Sequence, residues 1–221
     1  MCIDVVIPVY NGECYIAHSI QSVLDQTLKP NRLIIVNDGS DDDTFNIIKK
    51  ITDQYEGAIL ITVINQENCG LSAARNAGII ASNSKYISFL DADDVWISSK
   101  LELQLSIFES SKMIDLGLVY CQYLLIDDRG RLINGYVAKP DHRVRGHVYN
   151  RLLLGNYIIS SGSGVLIKKE CFDSVGLFDV LLKAAEDWDM WLRISERYKV
   201  DFVPNVDLVQ IRIHNNNMQK D

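Results

Sequence analysis

No apolar run in this chain approaches the ~18 residues that a membrane-spanning helix needs. The first residues, Met1-Cys2-Ile3-Asp4, carry no basic region and enter a strand pattern directly, so no secretory leader is expected. Positive charge is scarce: 22 Lys and Arg stand against 29 Asp and Glu, a net charge of −7. That balance lacks the basic face of a nucleic-acid binder. The five cysteines are scattered and form no Cys-x-x-Cys pair, which argues against a zinc site and a disulfide framework. Reduced, mostly buried thiols in the cytoplasm are the simple expectation. Two common phosphate cradles are missing as well. No Gly-x-Gly-x-x-Gly follows the first strand pattern, where Asn11-Gly12-Glu13-Cys14 stands instead, and no P-loop occurs. A nucleotide would have to be held by side chains and a metal. Internal repeats and low-complexity tracts are absent too.

What is present is alternation. Ile3–Val9 reads as a strand, and Ile16, Ile20, Val23 and Leu24 fall on one helical face. Leu33–Val36 is a second strand, ending at Asn37-Asp38-Gly39-Ser40. Ser40 followed by Asp43 reads as a capping-box start of a helix carrying Phe45, Ile48 and Ile51. Ala58–Ile64 is a third strand, Leu71–Ala81 a small-residue helix and Tyr86–Leu90 a fourth strand. Strands spaced by helices imply right-handed crossovers and a largely parallel α/β sheet. The pattern then changes. A helix at Leu101–Phe108 is followed by a hairpin of Leu118–Ile126 and Leu132–Val137 around Asp127-Asp128-Arg129-Gly130. Lys139–His147 reads as a loop. A strand at Val165–Ile167, a helix near Lys169–Val175, a helix at Asp187–Arg197 and two late strands, Val200–Val203 and Val206–Ile213, complete the chain. At 221 residues this is one domain in two halves, about 1–95 and about 96–221, sharing a continuous sheet.

The fourth strand ends in Asp91-Ala92-Asp93-Asp94. Two charges roughly 4 Å apart at an effective dielectric of about 20 repel by about 4 kcal/mol. A divalent cation is one way to offset that; a solvated acidic turn capping the next helix is the other. In a parallel sheet the carboxyl ends of the strands share one edge, where open α/β sheets bind ligands. Tyr10-Asn11, Asp38 and Asp91/Asp93 all stand at such ends. Asp38-Gly39-Ser40 alone is an ordinary turn; three successive polar strand ends are harder to assign to turns.

These stretches resemble the family 2 glycosyltransferases of bacterial, inverting type with the GT-A fold. The matching segments are Val6-Ile7-Pro8-Val9-Tyr10-Asn11, Val36-Asn37-Asp38-Gly39-Ser40-Asp41-Asp42, Gly70-Leu71-Ser72-Ala73-Ala74-Arg75-Asn76-Ala77-Gly78, Leu90-Asp91-Ala92-Asp93-Asp94, Glu186-Asp187-Trp188-Asp189-Met190-Trp191-Leu192-Arg193 and Arg212-Ile213-His214. They occur in the family's order and cover nearly the whole chain. The resemblance implies a single GT-A domain over 1–221: a Rossmann-like, mostly parallel central sheet with helices on both faces, a nucleotide-binding first half and a mixed, acceptor-side second half.

It also implies roles. Pro8, Val9, Tyr10 and Asp38 would meet the nucleobase and ribose. Arg75 would join them, unless it forms a salt bridge to Asp38 or a neighbouring carboxylate. Asp93 would hold Mn²⁺ or Mg²⁺ and Asp91 the ribose, with Asp94 capping the next helix. His214 would complete the metal site, and Arg212 would reach the diphosphate. Asp187 would be the catalytic base, with Glu186 supporting it; without the resemblance, the pair is simply an acidic helix start. Trp188 and Trp191 are candidates for acceptor or sugar contact, core packing being the default for at least one of them.

The implied activity is transfer of a sugar, expected from a UDP-hexose, to an acceptor hydroxyl, with one Asp base and a metal, in surface-polysaccharide synthesis. The alternative is a non-catalytic nucleotide-sugar-binding homologue, but such a chain should have lost Asp93, Asp187 or the glycine-bearing turns. A processive synthase would carry transmembrane helices and a Gln-x-x-Arg-Trp stretch, and neither is present. The expected partners are the nucleotide-sugar donor and a glycan or lipid-linked glycan acceptor. The expected location is cytoplasmic, with contact at the inner face of the membrane left open. Relatives often continue beyond the position of His214, so a shortened C-terminus is also an expectation.

Overall fold

The computed structural model describes residues 3–138, 144–159, 161–215 and 217. Four strands, β1 (Ile3–Val9), β2 (Arg32–Asp38), β3 (Leu60–Gln66) and β4 (Tyr86–Phe89), alternate with the helices α1 (Ile16–Leu24), α2 (Thr44–Gln54) and α3 (Leu71–Ala81). Then come β5 (Val95–Trp96), α4 (Lys100–Ser110), β6 (Leu116–Ile126), β7 (Leu132–Ala138) and α5 (Tyr149–Leu152). A 3₁₀ turn at Gly162–Gly164, β8 (Val165–Lys168), α6 (Lys169–Val175), α7 (Glu186–Arg197) and β9 (Lys199–Arg212) follow. One sheet runs β3-β2-β1-β4-β8-β6-β9-β5, with β7 paired to β6. The pairs among β1 to β4 are all parallel. From β8 onward the sheet is mixed: β8 is antiparallel to both β4 and β6, and β9 runs parallel to β6.

Alternation along β1 explains the two cores. Ile3, Val5, Ile7 and Val9 face α1, α2 and α4, whereas Val6 faces α3 and the side later covered by α6 and α7. The small residues of α3 have a packing reason: a Cβ on Gly78 would lie 2.3 Å from Val6 Cγ1, so only glycine lets this helix sit so close to β1. Helices cover both faces, as expected of α/β architecture.

Three expectations change. β3 starts two residues later than the sequence pattern suggests and runs to Gln66, because its ladder with β2 continues to Asp38↔Gln66. The two late strands are one, β9. Its register against β6 slips from Tyr120↔Phe202 to Gln122↔Asp207 around Pro204, which lacks an N–H, and Asn205 at φ 61°. The strand bulges there without ending. Ser40 does not cap α2. That helix begins at Thr44 behind Asp43, and Ser40 Oγ instead accepts the Asn11 N–H at 3.0 Å. Of the expected loop over 139–147, residues 139–143 lie outside the described residues; Gly146 bridges to Val200.

Candidate active site

The parallel register brings the ends of β1, β2 and β4 to one edge, and side chains of one turn hold the backbone of the next. Gly12 N–H donates to Thr44 Oγ1 (2.8 Å), Asp41 N–H to Asn11 Oδ1 (3.0 Å) and Asp43 N–H to Glu13 Oε2 (2.9 Å). Tyr10 stands out from this edge, 52% exposed, while the side chains of Pro8 and Val9 are buried within β1. Of these three residues only Tyr10 presents its side chain at the edge.

Asp38 is buried and accepts three hydrogen bonds. Oδ1 accepts Gln66 Nε2–H (2.7 Å) and Cys69 N–H (3.0 Å), and Oδ2 accepts Gly70 N–H (2.8 Å). It braces the loop that starts α3. Gly39 beside it is at φ 75°, and a Cβ there would lie 2.7 Å from Asn68 N, so the turn requires glycine.

Arg75, on α3, is 1% exposed. Its guanidinium donates to Asp91 Oδ1 and to Glu186 Oε1, each at 2.9 Å, and lies 5.5 Å from the Phe178 ring centre. Burial would weaken its hold on a proton, but Asp91 and Glu186 outweigh that and raise its pKa. The sequence left a salt bridge open for Arg75; the partners are Asp91 and Glu186, because Asp38 is engaged elsewhere. Arg75 thus ties the end of β4 to the start of α7.

The two later aspartates of the cluster diverge. Asp93 Oδ2 lies 3.0 Å from His214 Nε2, 121 residues away. Burial and the neighbouring Asp91 charge raise the Asp93 pKa, while His214 pulls it back. Asp94 is buried and does not cap α4, whose N-cap is Ser99. Its Oδ1 accepts Arg212 N–H (3.0 Å) and its Oδ2 accepts Ser163 Oγ–H (2.6 Å), so it ties β4 to β9. Burial drives its pKa well above the ordinary value, and Asp93 and Asp91 add to the rise. The Arg212 side chain is held by backbone carbonyls. Its Nε–H donates to Asp93 O (2.9 Å), its Nη1 to Asp127 O (3.0 Å) and Asp128 O (3.3 Å), and it lies 4.6 Å from the Tyr15 ring centre.

Asp187 is in the first turn of α7, whose acidic start (Glu186, Asp187, Asp189) suits the helix dipole. Its Oδ1 accepts Trp188 N–H at 2.6 Å. Burial raises its pKa; Arg75 lowers it and Glu186 raises it further, and the net shift is upward. Trp191 is not available to a sugar: it is wholly buried and edge-on to Phe178, with ring centres 6.3 Å apart. Trp188 is half-buried, with its indole N–H on Leu152 O (2.8 Å).

Two serines that strand-end reasoning does not single out also shape the turn. Ser19 Oγ is 2.7 Å from both Ala92 O and Asp94 O, and Ser163 Oγ accepts Asp91 N–H at 3.0 Å. The Gly162-Ser163-Gly164 triplet before β8 was the available signal for the second.

Among the described residues no group of three or more His, Cys, Asp or Glu is arranged to hold a metal ion. The donor set that does fit is the pair Asp93 and His214, one carboxylate and one imidazole. Two protein donors suit a cation whose remaining positions are filled by water and a ligand's phosphate oxygens.

The family profile described as "Glycosyltransferase like family 2" matches residues 4–220. An uncharacterized glycosyltransferase of Rickettsia prowazekii is 35% identical over 213 residues, 96% of this chain and 64% of that protein. The minor teichoic acid biosynthesis protein GgaA of Bacillus subtilis is 31% identical over 189 residues, 83% of this chain and 41% of that protein. The chain thus spans less than two thirds of the length of these relatives. Among solved structures, S. aureus TarS residues 1–349 in complex with UDP superposes with a TM-score of 0.76 at 19% identity, over 96% of this chain and 61% of that one. The same protein in complex with UDP-GlcNAc gives 0.78 over 99% and 60%. The superposition establishes the shared GT-A fold, and the profile match together with the Rickettsia relative shows that this chain belongs to glycosyltransferase family 2.

Proposed function

We propose that this domain transfers a sugar, with inversion, from a nucleoside diphosphate sugar, UDP-hexose being the favoured donor, to an acceptor hydroxyl of a surface glycan. The observation that carries the reading is the meeting of Asp93 and His214, from the ends of β4 and β9, on the edge that Arg75 ties through Asp91 and Glu186 to the start of α7, where Asp187 stands. TarS, which shares the fold, binds UDP and UDP-GlcNAc, and GgaA is named for teichoic acid synthesis; both support the donor class and the surface-polymer role.

The chain's own residues divide the work. Tyr10 presents a ring to the nucleobase, and Asp38 acts through the loop 66–70 that it braces. Asp91 is free to meet the ribose with the oxygen that Arg75 leaves, Oδ2, which is 3.4 Å from Ser161 Oγ. Asp93 and His214 would hold Mn²⁺ or Mg²⁺. When bound there, the cation supplies positive charge to the departing diphosphate. Asp187 takes the acceptor O–H proton as that oxygen bonds to the anomeric carbon, and the bond from that carbon to the diphosphate oxygen breaks with its electron pair. One base suffices, because the leaving group needs no proton. The upward shift of the Asp187 pKa strengthens it as a proton acceptor, while Arg75 limits the rise. Glu186 orients this end of α7 through Arg75. Trp188 remains the aromatic at the acceptor side. Among the described residues no helix is long and apolar enough to cross a membrane. The four described cysteines are free thiols, which supports placement in the cytoplasm.

The test is UDP binding by calorimetry with and without Mn²⁺. UDP should bind more tightly with Mn²⁺, and Asp93→Ala should erase that gain. Equal affinity with and without metal in the parent protein overturns the reading.

A further inference from the structure

The acidic turn rests on a hydroxyl from the other half of the molecule. Ser163 is wholly buried at the centre of the 3₁₀ turn before β8. Its oxygen accepts Asp91 N–H at 3.0 Å and donates its proton to Asp94 Oδ2 at 2.6 Å. The other Asp94 oxygen accepts Arg212 N–H at 3.0 Å, and Arg212 Nε–H returns to Asp93 O at 2.9 Å. Two residues beyond Arg212, His214 reaches Asp93. The contacts close a ring: Ser163, Asp94, Arg212, His214, Asp93, Asp91 and back to Ser163. Asp93 stands two residues before β5, whose Val95 pairs with Gln210 of β9, and this ring, with the Arg212 side chain across it, carries that pairing on to Asp93 and His214.

The hydroxyl itself has little room to move. Trp96 Nε1–H holds Ser163 O at 2.8 Å, and Gln104 Nε2–H holds Gly164 O at 2.8 Å. On the other side, a Cβ at Gly162 would lie 2.8 Å from Arg75 Nη2, so the turn is packed directly on the guanidinium that joins Asp91 to Glu186. A hydroxyl fixed this firmly, accepting from one residue of the turn and donating to another, determines the turn's shape.

We infer that Ser163 is a positioning residue for the metal–diphosphate site: it sets the separation of Asp93 and His214 by anchoring Asp91 and Asp94. The inference rests on the functional reading above and goes beyond it by assigning a residue of the second half to the donor side. Removing the hydroxyl leaves Asp91 N–H and the buried Asp94 Oδ2 without their partner. Asp94 then keeps only Arg212 N–H, and the ring is open.

The experiment measures UDP affinity by calorimetry, with Mn²⁺ and with chelator, for the parent, Asp93→Ala, Ser163→Ala, Asp94→Asn and the double variant Ser163→Ala/Asp94→Asn. Thermal melting establishes that each is folded at the assay temperature. The Mn²⁺-dependent gain in UDP affinity should fall about 10- to 100-fold in Ser163→Ala, the usual effect of removing a group that orients a metal ligand. Affinity in chelator should fall far less than that gain, because Asp91 keeps its ion pair with Arg75, a separation that a general loss of stability would not produce. The double variant should lose no more than the worse single variant, because both changes break one contact. A gain lost in Asp93→Ala but kept in Ser163→Ala overturns this inference and leaves the functional reading standing. If Ser163→Ala does not fold, Asp94→Asn decides: a full gain there overturns the inference. A parent with no Mn²⁺-dependent gain removes the functional reading and this inference together.

Discussion

Two aspartates beside helix starts, one in each half, sit in opposite electrostatic states. Asp42, just before α2 in the first half, is lightly buried, and burial nudges its pKa up. Hydrogen bonds from Thr44 and from Glu13 N–H outweigh that and hold it below the ordinary value. Asp187, in the first turn of α7, is pushed the other way, by burial and by Glu186 against the pull of Arg75. Asp38 and Asp93, both at strand ends, differ in their partners. Asp38 is satisfied by two backbone N–H groups and an amide, whereas Asp93 has an imidazole and a crowd of like charges. A carboxylate at the right edge of a sheet is therefore not a ligand by position alone. Asp38, held by N–H donors, and Asp94, raised but tied to Ser163 and Arg212, build the edge; Asp93 and Asp187, raised and less engaged, are the ones proposed to act on a cation and a proton.

The sharpest way to break this comparison is Asp187→Asn. Transfer to the acceptor should fall by about 10²- to 10⁴-fold, with UDP affinity nearly unchanged, since the proposed nucleotide contacts lie on other elements. Initial rates at saturating donor, beside UDP calorimetry, check both halves of the statement. A base must be deprotonated to work, and burial raises this one. The acid limb of the rate profile should therefore lie above 3.8, the ordinary value for an aspartate. An acid limb at or below that value would place Asp187 with Asp42 and not opposite it.

A second effect concerns the seam. Arg75→Ala removes a buried cation and leaves Asp91 and Glu186 facing each other across the two halves, with side chains 22% and 15% exposed. Removal of one partner of a buried ion pair costs about 3–5 kcal/mol. Denaturant unfolding should show a loss of that size, and a loss under about 1 kcal/mol would mean that the halves do not depend on this triad.

The smallest effect, taken per pH unit, belongs to Lys100, which is wholly buried with its Nζ on Ser88 Oγ (3.0 Å) and Gln104 Oε1 (2.8 Å), both neutral, and 3.9 Å from the Trp96 ring centre. Burial lowers its pKa from 10.5 to about 7. Between those values the unfolded chain binds more protons than the folded one, so this residue makes stability rise with pH from about 7 toward 10.5. The slope is about 1.4 kcal/mol per pH unit at most. Lys100→Met should flatten urea stability over that window; an unchanged slope would show that Lys100 stays charged in the fold.

Much of the first half was legible because its signals are local. The apolar run of β1, the helical spacing of Ile16, Ile20 and Val23 and the exact extent of α3 follow from side-chain period, and period is a property of neighbouring residues. The parallel register then brings the polar strand ends together with no further information. Ser40 was misread for the same reason: its sequence neighbours suggest a cap, but its partner, Asn11, is 29 residues away. β9 looked like two strands because Pro204 and Asn205 interrupt the pattern locally, whereas pairing with β6 carries the strand across the interruption.

The sequence by itself determined the residue types at each strand end, the helix faces and, through the order of its motifs, the family. Tertiary structure decided which carboxylates are available. Whether Asp38 braces a loop, whether Asp94 joins β4 to β9 or whether Asp93 meets His214 depends on donors 28 to 121 residues away. Burial also decided which aspartates are raised, and burial is a property of the assembled core. Hydrogen bonding and desolvation act through space over a few ångströms, and only the folded chain sets those distances.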